Sequence, residues 1–387
     1  MNITESNLVF SQAIEKDTAE IIGLYNTTYD GLYPDPIFSD YQLLKKEILK
    51  KNKKLYVVRD ENTEVIATLS FLYDPTNMIA KAGSAVVAKS AQGLNLTRKL
   101  LDFGINDIRK STQGIRLLYI TTRTVHKIAQ HLTDKMGFKK LGIFPNAHKT
   151  KNYETHVLGG LFFDGAFEQR YIHFKQHPRI KPLFDIARDE CLLPEMDVCN
   201  DFVRKEYNSK VPVLEFIQAQ EFVKNSYKMA KKNSEIQLGF FPFHEPTSMI
   251  TSPGGNIQVY VSINDLDKHC VIIGFKVDKA VSFTDLFLTV SSMLRDKGVR
   301  YIEMIARANR FNIIEKIIKA KFIPCGYVPA FQQEGDKSYD YALFSRSFEI
   351  LEFNDIELTG VSELYLKEYI KTWSEISLNK HFKVGLE

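Results

Sequence analysis

A chain of 387 residues is too long for one ordinary domain, and its 44% hydrophobic and 25% charged residues are typical of a protein with well-buried cores. A formal net charge of +4 is small for this size and gives no argument for a nucleic acid or an anionic membrane as a partner. No segment has the roughly 18 to 20 uninterrupted apolar residues of a membrane helix, and the N-terminus lacks the regions of a signal peptide. The four cysteines are scattered without a CxxC pair, so we expect no structural zinc, no disulfide framework and a cytoplasmic protein.

The first part of the chain reads as a strand, two helices and a series of strands. Alternating apolar residues mark the strands, and Asp or Ser residues that precede apolar periodic stretches mark the helix starts. The predicted elements are a strand at 7–14, helices capped by Asp17 and Ser39, strands at 55–59 and 65–72, and a strand that ends at Ala85, Val86 and Val87.

A tight polar loop at 90–95 joins this last strand to a helix predicted over 95–112. Unpaired backbone N–H groups and the positive end of the helix dipole meet at such a join, which makes it a natural anion site. Gly93 lets the backbone approach a ligand closely, and Asn95 is the non-glycine residue that adopts positive φ most readily. Arg98 lies one turn into the helix, where we expect a charged contact to a phosphate.

The chain then continues with two strand–helix units and a closing hairpin. The predicted elements are a strand at 115–122, a helix at 125–135, a strand at 139–144, a loop at 146–155 and a strand at 157–163. The loop and its flank hold the titratable residues His148, Tyr153, Glu154 and His156. Glu154 and His156 are two apart, so on a strand they share a face. A base that deprotonates an amine is a carboxylate, an imidazole or a water held by one, and the alternative interpretation is a polar edge strand.

This element order resembles the GNAT acyltransferase superfamily. The family pattern V-x-P-x-x-(R/Q)-G-x-G-x-(G/A) aligns with residues 87–97, where Gln92 and Gly93 match. Lys89 replaces the proline, Asn95 the second glycine and Thr97 the last small residue.

A second family motif, N-x-x-A-x-x-L-Y-x-x-x-G-F, aligns with residues 126–138 and matches at Ala129, Leu132, Gly137 and Phe138. His126 stands in place of its asparagine, and Thr133 in place of a tyrosine that protonates the departing thiolate. The alternative interpretation is that His126 and Thr133 are surface positions of a helix. Thr133 cannot replace a phenol as an acid, because its hydroxyl is far too weakly acidic at neutral pH.

The resemblance implies a coenzyme A site. Residues 85–87 would hold the pantetheine arm and polarise the thioester carbonyl through backbone N–H groups. The cofactor-binding residues that it implies are Ala85, Val86, Val87, Gln92, Gly93, Leu94, Asn95, Leu96, Thr97, Arg98 and His126.

From about residue 211 the element order repeats. The predicted elements are a helix at 213–231, strands at 236–241, 257–261 and 270–277, a helix at 284–297, a strand at 301–306, a helix at 311–321 and a hairpin at 322–348. This second copy also resembles the GNAT superfamily. Its loop at 278–283 has no glycine, so we expect it to bind no pyrophosphate.

The fold expected is mixed α/β (α+β), with two GNAT-like domains that each have a mixed, mostly antiparallel central sheet flanked by helices. The first domain, at 1–163, carries the acyl-CoA site, and the second, at 211–350, is degenerate. Residues 164–210 are predicted to be a helical connector. Residues 351–387 are predicted to be a helical tail whose apolar stripe is a docking surface.

The leading hypothesis is an acyl-CoA-dependent N-acyltransferase of the N-acetyltransferase type. The expected co-substrate is acetyl-CoA, with no metal, and the acceptor is an amine of a small molecule or peptide that attacks the thioester directly. Glu154, His156 and Tyr153 are the candidate catalytic residues. We expect no nucleic acid and no membrane partner, and the sequence gives no oligomeric state.

Two alternatives stay open. The first is another transferase of tandem GNAT fold, either a FemX-like enzyme that uses aminoacyl-tRNA or an N-myristoyltransferase. The small net charge argues against the FemX-like enzyme, and the Gln92-Gly93 match argues against both. The second alternative is a non-catalytic protein that binds acyl-CoA or serves as a scaffold. Thr133 in place of the tyrosine and the glycine-free second loop favour it.

Overall fold

The computed structural model describes residues 7–111, 114–149, 152–199, 211–277 and 281–378. Several of the predicted segments extend beyond these ranges. The residues that lie outside the described ones are 1–6 of the first domain, 112 of the helix predicted over 95–112, 150–151 of the loop at 146–155, 200–210 of the connector, 278–280 of the second loop and the end of the tail after residue 378.

The first half of the molecule, which we define as residues 9–162, contains the strands and helices predicted for it. They are β1 (Val9–Gln12), α1 (Thr18–Tyr29), α2 (Tyr41–Ile48), β2 (Lys53–Arg59), β3 (Val65–Asp74), β4 (Ile79–Val87), α3 (Leu96–Ser111), β5 (Leu117–Arg123), α4 (Ile128–Lys135), β6 (Lys139–Lys149) and β7 (Tyr153–Phe162).

The second half, defined as residues 215–347, follows the helix α5 (Lys181–Cys191) and precedes the helix α9 (Val361–Leu378). Its elements are β8 (Glu215–Ile217), α6 (Gln220–Lys232), β9 (Ser248–Thr251), β10 (Gln258–Asn264), β11 (His269–Lys276), α7 (Phe283–Asp296), β12 (Tyr301–Arg307), α8 (Phe311–Lys319), β13 (Ile323–Glu334) and β14 (Lys337–Ser347).

The strands of the described residues form one 14-stranded sheet. The strand order is β1-β2-β3-β4-β5-β7-β6 in the first half and β8-β9-β10-β11-β12-β14-β13 in the second half. β4 and β5 are parallel, and so are β11 and β12, whereas the other neighbouring strands are antiparallel. The prediction of a mixed α/β fold with a mixed, largely antiparallel sheet is confirmed. The strand order of the two halves is the same.

The two halves meet where β6 pairs with β13 through Gly142 and Gly326. A Cβ on Gly142 would lie 2.8 Å from the Cys325 carbonyl oxygen, and one on Gly326 would lie 2.7 Å from the Leu141 carbonyl oxygen. Only glycine fits at either position, because the two backbones are in contact there. The helices α5 and α9 both pack against β6 and β13 and cover the seam.

Each face of the first-half sheet is covered by different helices. Tyr56 and Val58 belong to the core under α3, whereas their neighbours Leu55 and Val57 belong to the core under α1 and α2. Because neighbouring residues of a strand point to opposite faces, α3 lies on one face and α1 and α2 lie on the other. We call the latter the α1 face.

Some predicted helix and strand boundaries are wrong. The cap of α2 is Asp40, whose carboxylate accepts the Leu43 N–H at 2.9 Å, while the Ser39 hydroxyl donates to the Pro36 carbonyl. The boundary of α1 is as predicted, with Asp17 at the N-cap position, but the Asp17 carboxylate makes no capping bond to the helix and accepts the Ile14 N–H at 2.8 Å instead. Most of the predicted loop at 146–155 belongs to β6 and β7.

The predicted strand at 236–241 is also wrong. The apolar residues of this segment alternate, but the segment is not a strand and makes only an isolated β-bridge, between Gln237 and Phe275. The strand that pairs with β10 is β9, which the sequence pattern did not predict, and the edge strand β8 lies within the predicted helix at 213–231. Tertiary contacts outweigh local alternation at 236–241, because its apolar residues fill a gap in the sheet rather than extend its edge.

Candidate active site

β4 and β5 run side by side for only part of their length. Their ladder starts at Ile79–Leu117 and ends at Ala82–Ile120, although β4 continues to Val87 and β5 to Arg123. A register shift between β3 and β4, with Ser84 at φ 53°, bends β4 just after the ladder ends. The carboxyl ends of the two strands therefore separate into an opening. The predicted pantetheine residues 85–87 lie along it.

The loop that follows β4 has two residues at positive φ. Gly93 has φ +92° and Asn95 has φ 55°, so the prediction that Asn95 takes a left-handed conformation is confirmed. The Lys99 N–H donates to the Asn95 carbonyl at 3.1 Å. The N–H groups of Leu96, Thr97 and Arg98 precede Lys99 in the first turn of α3. Backbone N–H groups in the first turn of a helix have no acceptor within that helix. These N–H groups point out of the N-terminal end of α3, which is the positive end of the helix dipole.

The other predicted cofactor residues differ in exposure. Gln92 and Arg98 are exposed, and Arg98 lies 3.8 Å from Asp102 one turn along α3. The Leu96 side chain is buried under α3, so only its backbone is available to a ligand. Leu94 is half-buried beside the same core, and His126 is exposed in the turn before α4.

Thr133 is buried and its hydroxyl is used within its own helix. It donates to the Gln130 carbonyl at 2.9 Å and lies 3.2 Å from the Ala129 carbonyl. The interpretation of Thr133 as a surface position is therefore wrong, and the hydroxyl does not take the place of the missing phenol.

A cavity of about 320 Å³ lies at the carboxyl end of β5. It is lined by the end of α1 and the residues that follow it, by the end of β5, by the start of β7 and by a segment between β14 and α9. The acidic residues in its lining are Asp30, Glu154, Glu352 and Asp355, and Arg123 is the basic one. The segment is held against the first half, because the Glu357 N–H donates to the Thr124 carbonyl at 2.7 Å.

Glu154 and Arg123 form an ion pair in this cavity. The Nε and Nη2 groups of Arg123 both donate to Glu154, each at 2.6 Å. The hydrogen bond to Glu154 raises the pKa of Arg123. The Glu154 side chain is only 7% exposed, so its carboxylate serves first as the counter-ion of the guanidinium.

His156 lies on the same face of β7 as Glu154, as its position in the sequence predicts. Its Nε2 is 3.9 Å from Glu154 Oε2. Burial lowers the pKa of His156 to about 4, so the imidazole is neutral at neutral pH. Its Nδ1 is buried without a hydrogen-bond partner in the described part of the chain. Burial also raises the pKa of Tyr153, the third predicted catalytic residue.

The second half brings further titratable side chains to the α1 face of the first half. His148 Nδ1 lies 2.5 Å from Asp267 Oδ2, and His269 Nε2 lies 3.0 Å from Glu303 Oε1. The ring of His148 is 4.6 Å from that of His156 and 5.2 Å from that of His269, between centroids. We call these five residues the inter-half cluster.

Charges within the inter-half cluster shift its pKa values. Burial opposes the charged form of His148, but the hydrogen bond and charge of Asp267 outweigh it and raise the pKa of His148. Burial likewise opposes the charge on Asp267, but His148 outweighs it and lowers the pKa of the carboxyl. Lys81, on β4 just before the opening, has its pKa lowered by burial, against the charges of Glu303 and Asp35.

The corresponding opening of the second half is filled by the chain itself. The ladder between β11 and β12 ends at Val271–Glu303, although β11 continues to Lys276. Beyond that point, residues 236–240 lie against β11: the Gln237 N–H donates to the Phe275 carbonyl at 2.7 Å and the Phe275 N–H donates back at 3.0 Å. The ring of Phe240 packs 5.4 Å from that of Phe331.

One side of this site could be found from the sequence. His148, Glu154 and His156 were found because they are close in sequence. Asp267, His269 and Glu303 were missed, because His148 and Asp267 are 119 residues apart and no local pattern links them. Across the described ranges, no group of three His, Cys, Asp or Glu side chains is placed to hold a metal ion. No helix within them is long and apolar enough to cross a bilayer.

In a comparison with protein families, residues 18–138 match the model of the acetyltransferase (GNAT) family. No curated protein sequence matches the chain.

Several solved structures are similar to part of the chain. The ribosomal-protein-S5-alanine acetyltransferase of Vibrio fischeri is 16% identical, with 43% of this chain and 98% of that chain covered and a TM-score of 0.37. An N-acetyltransferase of Staphylococcus aureus Mu50 is 19% identical, with coverage of 41% and 99% and a TM-score of 0.36. A mutant of the spermidine N-acetyltransferase SpeG of Vibrio cholerae is 18% identical, with coverage of 41% and 95% and a TM-score of 0.36.

Proposed function

Residues 18–138 of this chain match the acetyltransferase (GNAT) family, and from that premise we propose that the protein transfers an acetyl group from acetyl-CoA to an amine. The observation that carries the proposal is the opening between β4 and β5. It lies next to the N-terminus of α3, and the loop between them holds Gly93 and Asn95 at positive φ.

The residues at the opening suit coenzyme A. A Cβ placed on Gly93 would meet no atom within 4 Å, so there is open space for a ligand beside this part of the backbone. We propose that the pyrophosphate binds the N–H groups of residues 96–98, where backbone donors and the helix dipole favour an anion. The edge of β4 at Ala85, Val86 and Val87 would bind the pantetheine amides and place N–H groups beside the thioester carbonyl.

The cavity at the carboxyl end of β5 would bind the acceptor. Asp30, Glu352 and Asp355 give its lining an excess of negative charge, since Arg123 and Glu154 neutralise each other. A substrate amine is cationic before it reacts, and its attraction to these carboxylates favours entry from this side. We propose an amine of a small molecule or peptide that carries positive charge.

The predicted catalytic residues would then act in acceptor binding. Glu154 holds Arg123 in place through two hydrogen bonds, and Tyr153 lines the cavity beside it. His156 lies opposite Arg123 in the ladder between β5 and β7. In this proposal acetyl-CoA supplies the thioester, and these side chains position the amine that attacks it.

We also propose that the chain has a tandem GNAT architecture, with domains at 1–163 and 211–350 joined by residues 164–210 and followed by the tail at 351–387. The identical strand order of the two halves supports this division. The second domain would bind no coenzyme A, because residues 236–240 already occupy its opening. Its role would be to complete the acceptor side of the first domain. We further propose a cytoplasmic location, from the cysteine usage alone.

Two measurements test the proposed function. Calorimetry with coenzyme A is expected to give binding, and a thiol-release assay with acetyl-CoA is expected to give turnover with spermidine or with a lysine-containing peptide. Binding without thiol release from either amine would favour the alternative of a non-catalytic acyl-CoA-binding protein. The absence of binding would remove the cofactor assignment.

A further inference from the structure

His148 and Asp267 form a hydrogen-bonded pair across the two halves of the molecule. His148 is on β6, and Asp267 is in the turn between β10 and β11. The carboxylate lies 2.5 Å from His148 Nδ1 through Oδ2, and its Oδ1 accepts the Lys149 N–H at 2.6 Å. The Asp267 side chain is 4% exposed and that of His148 is 30% exposed. The carboxylate is thus fixed and buried, while the imidazole remains accessible.

This geometry prepares His148 to accept a proton. A carboxylate on Nδ1 holds the neutral imidazole in the tautomer with its proton on Nδ1, which leaves the lone pair on Nε2. The same division of roles between an imidazole and a buried carboxylate occurs in hydrolases that use a histidine base. The pair therefore has the chemistry of a general base.

His148 also lies beside the proposed acceptor cavity. It is directly opposite Glu154 in the ladder between β6 and β7, and Glu154 lines the cavity. Its ring is 4.6 Å from that of His156, which is opposite Arg123 at the end of β5. His148 is therefore separated from the carboxyl end of β5 by the single strand β7.

The other candidates are less suited to the role. The Glu154 carboxylate already accepts two hydrogen bonds from Arg123. His156 is neutral, but with a pKa of about 4 it is a weak base at neutral pH. The pKa of His148 is instead raised from its ordinary value, towards the range in which a base is effective.

We propose that His148 is the general base of the acetyl transfer and that Asp267, from the second half, is its positioning residue. The proposal rests on the proposed function. His148 Nε2 accepts, directly or through one water, the proton that the acceptor ammonium group gives up. The amine then forms a C–N bond to the acetyl carbon as the C–S bond breaks. The nitrogen then loses a second proton, which protonates the departing thiolate, so that the products are the N-acetyl amide and the free thiol.

Several charged groups surround the base and enter its pH dependence. Negative charge on Glu303 raises the pKa of His148, and positive charge on Lys81 lowers it. The titratable groups near the ring, from each neighbouring element, are Asp267 and His269 of the β10–β11 region, Glu303 on β12, Glu154 and His156 on β7, and Lys81 on β4.

The first test is a pH–rate profile of thiol release from acetyl-CoA, with spermidine and with a lysine-containing peptide as acceptors. His148→Gln is expected to lower kcat at least about 100-fold and to remove the acidic limb of the profile. Asp267→Asn is expected to lower kcat and to move that limb to lower pH, because the imidazole loses its anionic partner. The control is His131→Gln, at an exposed position on α4, which is expected to leave the profile unchanged.

The second test does not depend on activity. In protein with ¹³C-labelled histidine, the NMR signal assigned through His148→Gln is expected to titrate above about pH 6.5, the ordinary value for histidine. In Asp267→Asn that signal is expected to titrate at lower pH. Thermal unfolding and calorimetry with coenzyme A show whether each variant remains folded. In His148→Ala, added imidazole is expected to restore part of the turnover.

The outcomes separate the two proposals. An active wild-type protein whose acidic limb persists in His148→Gln overturns the assignment of the base and leaves the proposed function intact. The assignment of Asp267 is overturned if the His148 titration is the same in Asp267→Asn as in the wild type. A wild-type protein that acetylates neither acceptor overturns the proposed function, and the catalytic role of His148 with it.

Discussion

Gln237 and Phe275 exchange two backbone hydrogen bonds, at 2.7 and 3.0 Å, in the part of β11 that has separated from β12. A Cβ on Gly274 would lie 2.8 Å from the Ile236 side chain and 3.2 Å from the Gly239 Cα, so the two segments are in close contact. In the first half, the ladder between β4 and β5 likewise stops at Ala82. After Ala82, no other backbone segment of the described residues lies along the edge of β4 that has separated from β5.

This difference predicts one coenzyme A per chain. A ligand in the second opening would have to displace Gln237 from two backbone hydrogen bonds and Phe240 from its aromatic contacts. Calorimetry of the full chain with coenzyme A is expected to give a stoichiometry of one. A stoichiometry of two would contradict the prediction. So would a variant of the first loop that loses only one of two coenzyme A sites.

The second prediction concerns Gly93. Gly93→Val is expected to abolish coenzyme A binding, because a branched side chain would fill the space beside the loop backbone and because φ +92° disfavours any residue with a Cβ. Gly298→Val is the matched control, since Gly298 also has φ +92° and open space around its Cβ position. Circular dichroism and calorimetry of both variants test the prediction. Equal losses of affinity in the two variants would mean that strain, not contact with the ligand, is the cause.

The third prediction concerns the ion pair in the acceptor cavity. Glu154→Gln is expected to lower turnover at least about tenfold, because it leaves the Arg123 guanidinium without its counter-ion. Coenzyme A affinity is expected to change little, since none of the loop residues 90–95 lines the cavity. The double variant Arg123→Met, Glu154→Gln is expected to lose less than the sum of the two single losses. Additive losses in this cycle would show that the two side chains act independently.

The fourth prediction concerns the pH dependence of stability. The folded-state pKa of His148 is raised, so the stability it contributes is present below its unfolded value and declines as pH rises through the folded value. The folded-state pKa of Asp267 is lowered, so its contribution is present above its unfolded value and declines as pH falls through the folded value. Urea unfolding is expected to give a shallower decline in the free energy of unfolding above about pH 6.5 for Asp267→Asn than for the wild type. Parallel curves would mean that the charge of Asp267 does not act on the protonation of His148 in the folded protein.

The sequence predicted the first half well and the acceptor side only in part. Gly93 and Asn95 have positive φ because local backbone preference decides their conformation, and that preference can be inferred from residue type. Residues 236–241 alternate like a strand but fill the second opening, because burial against β11 outweighs the pattern. Asp267, His269 and Glu303 of the inter-half cluster could not be predicted, because they come close to His148 only when the two halves join where β6 pairs with β13.

That seam also determines whether either half could exist alone. β6 and β13 are each the last strand of their half, and each is covered by the other and by α5 and α9. Cutting the chain between the halves and separating them would expose one of these strands with its N–H and C=O groups unpaired, which is a template for association with other chains. The close backbone contact of Gly142 and Gly326 leaves no side chain there to block such pairing. Separated halves are therefore expected to aggregate or to pair with each other again, and the protein is expected to fold as one unit despite its repeated strand order.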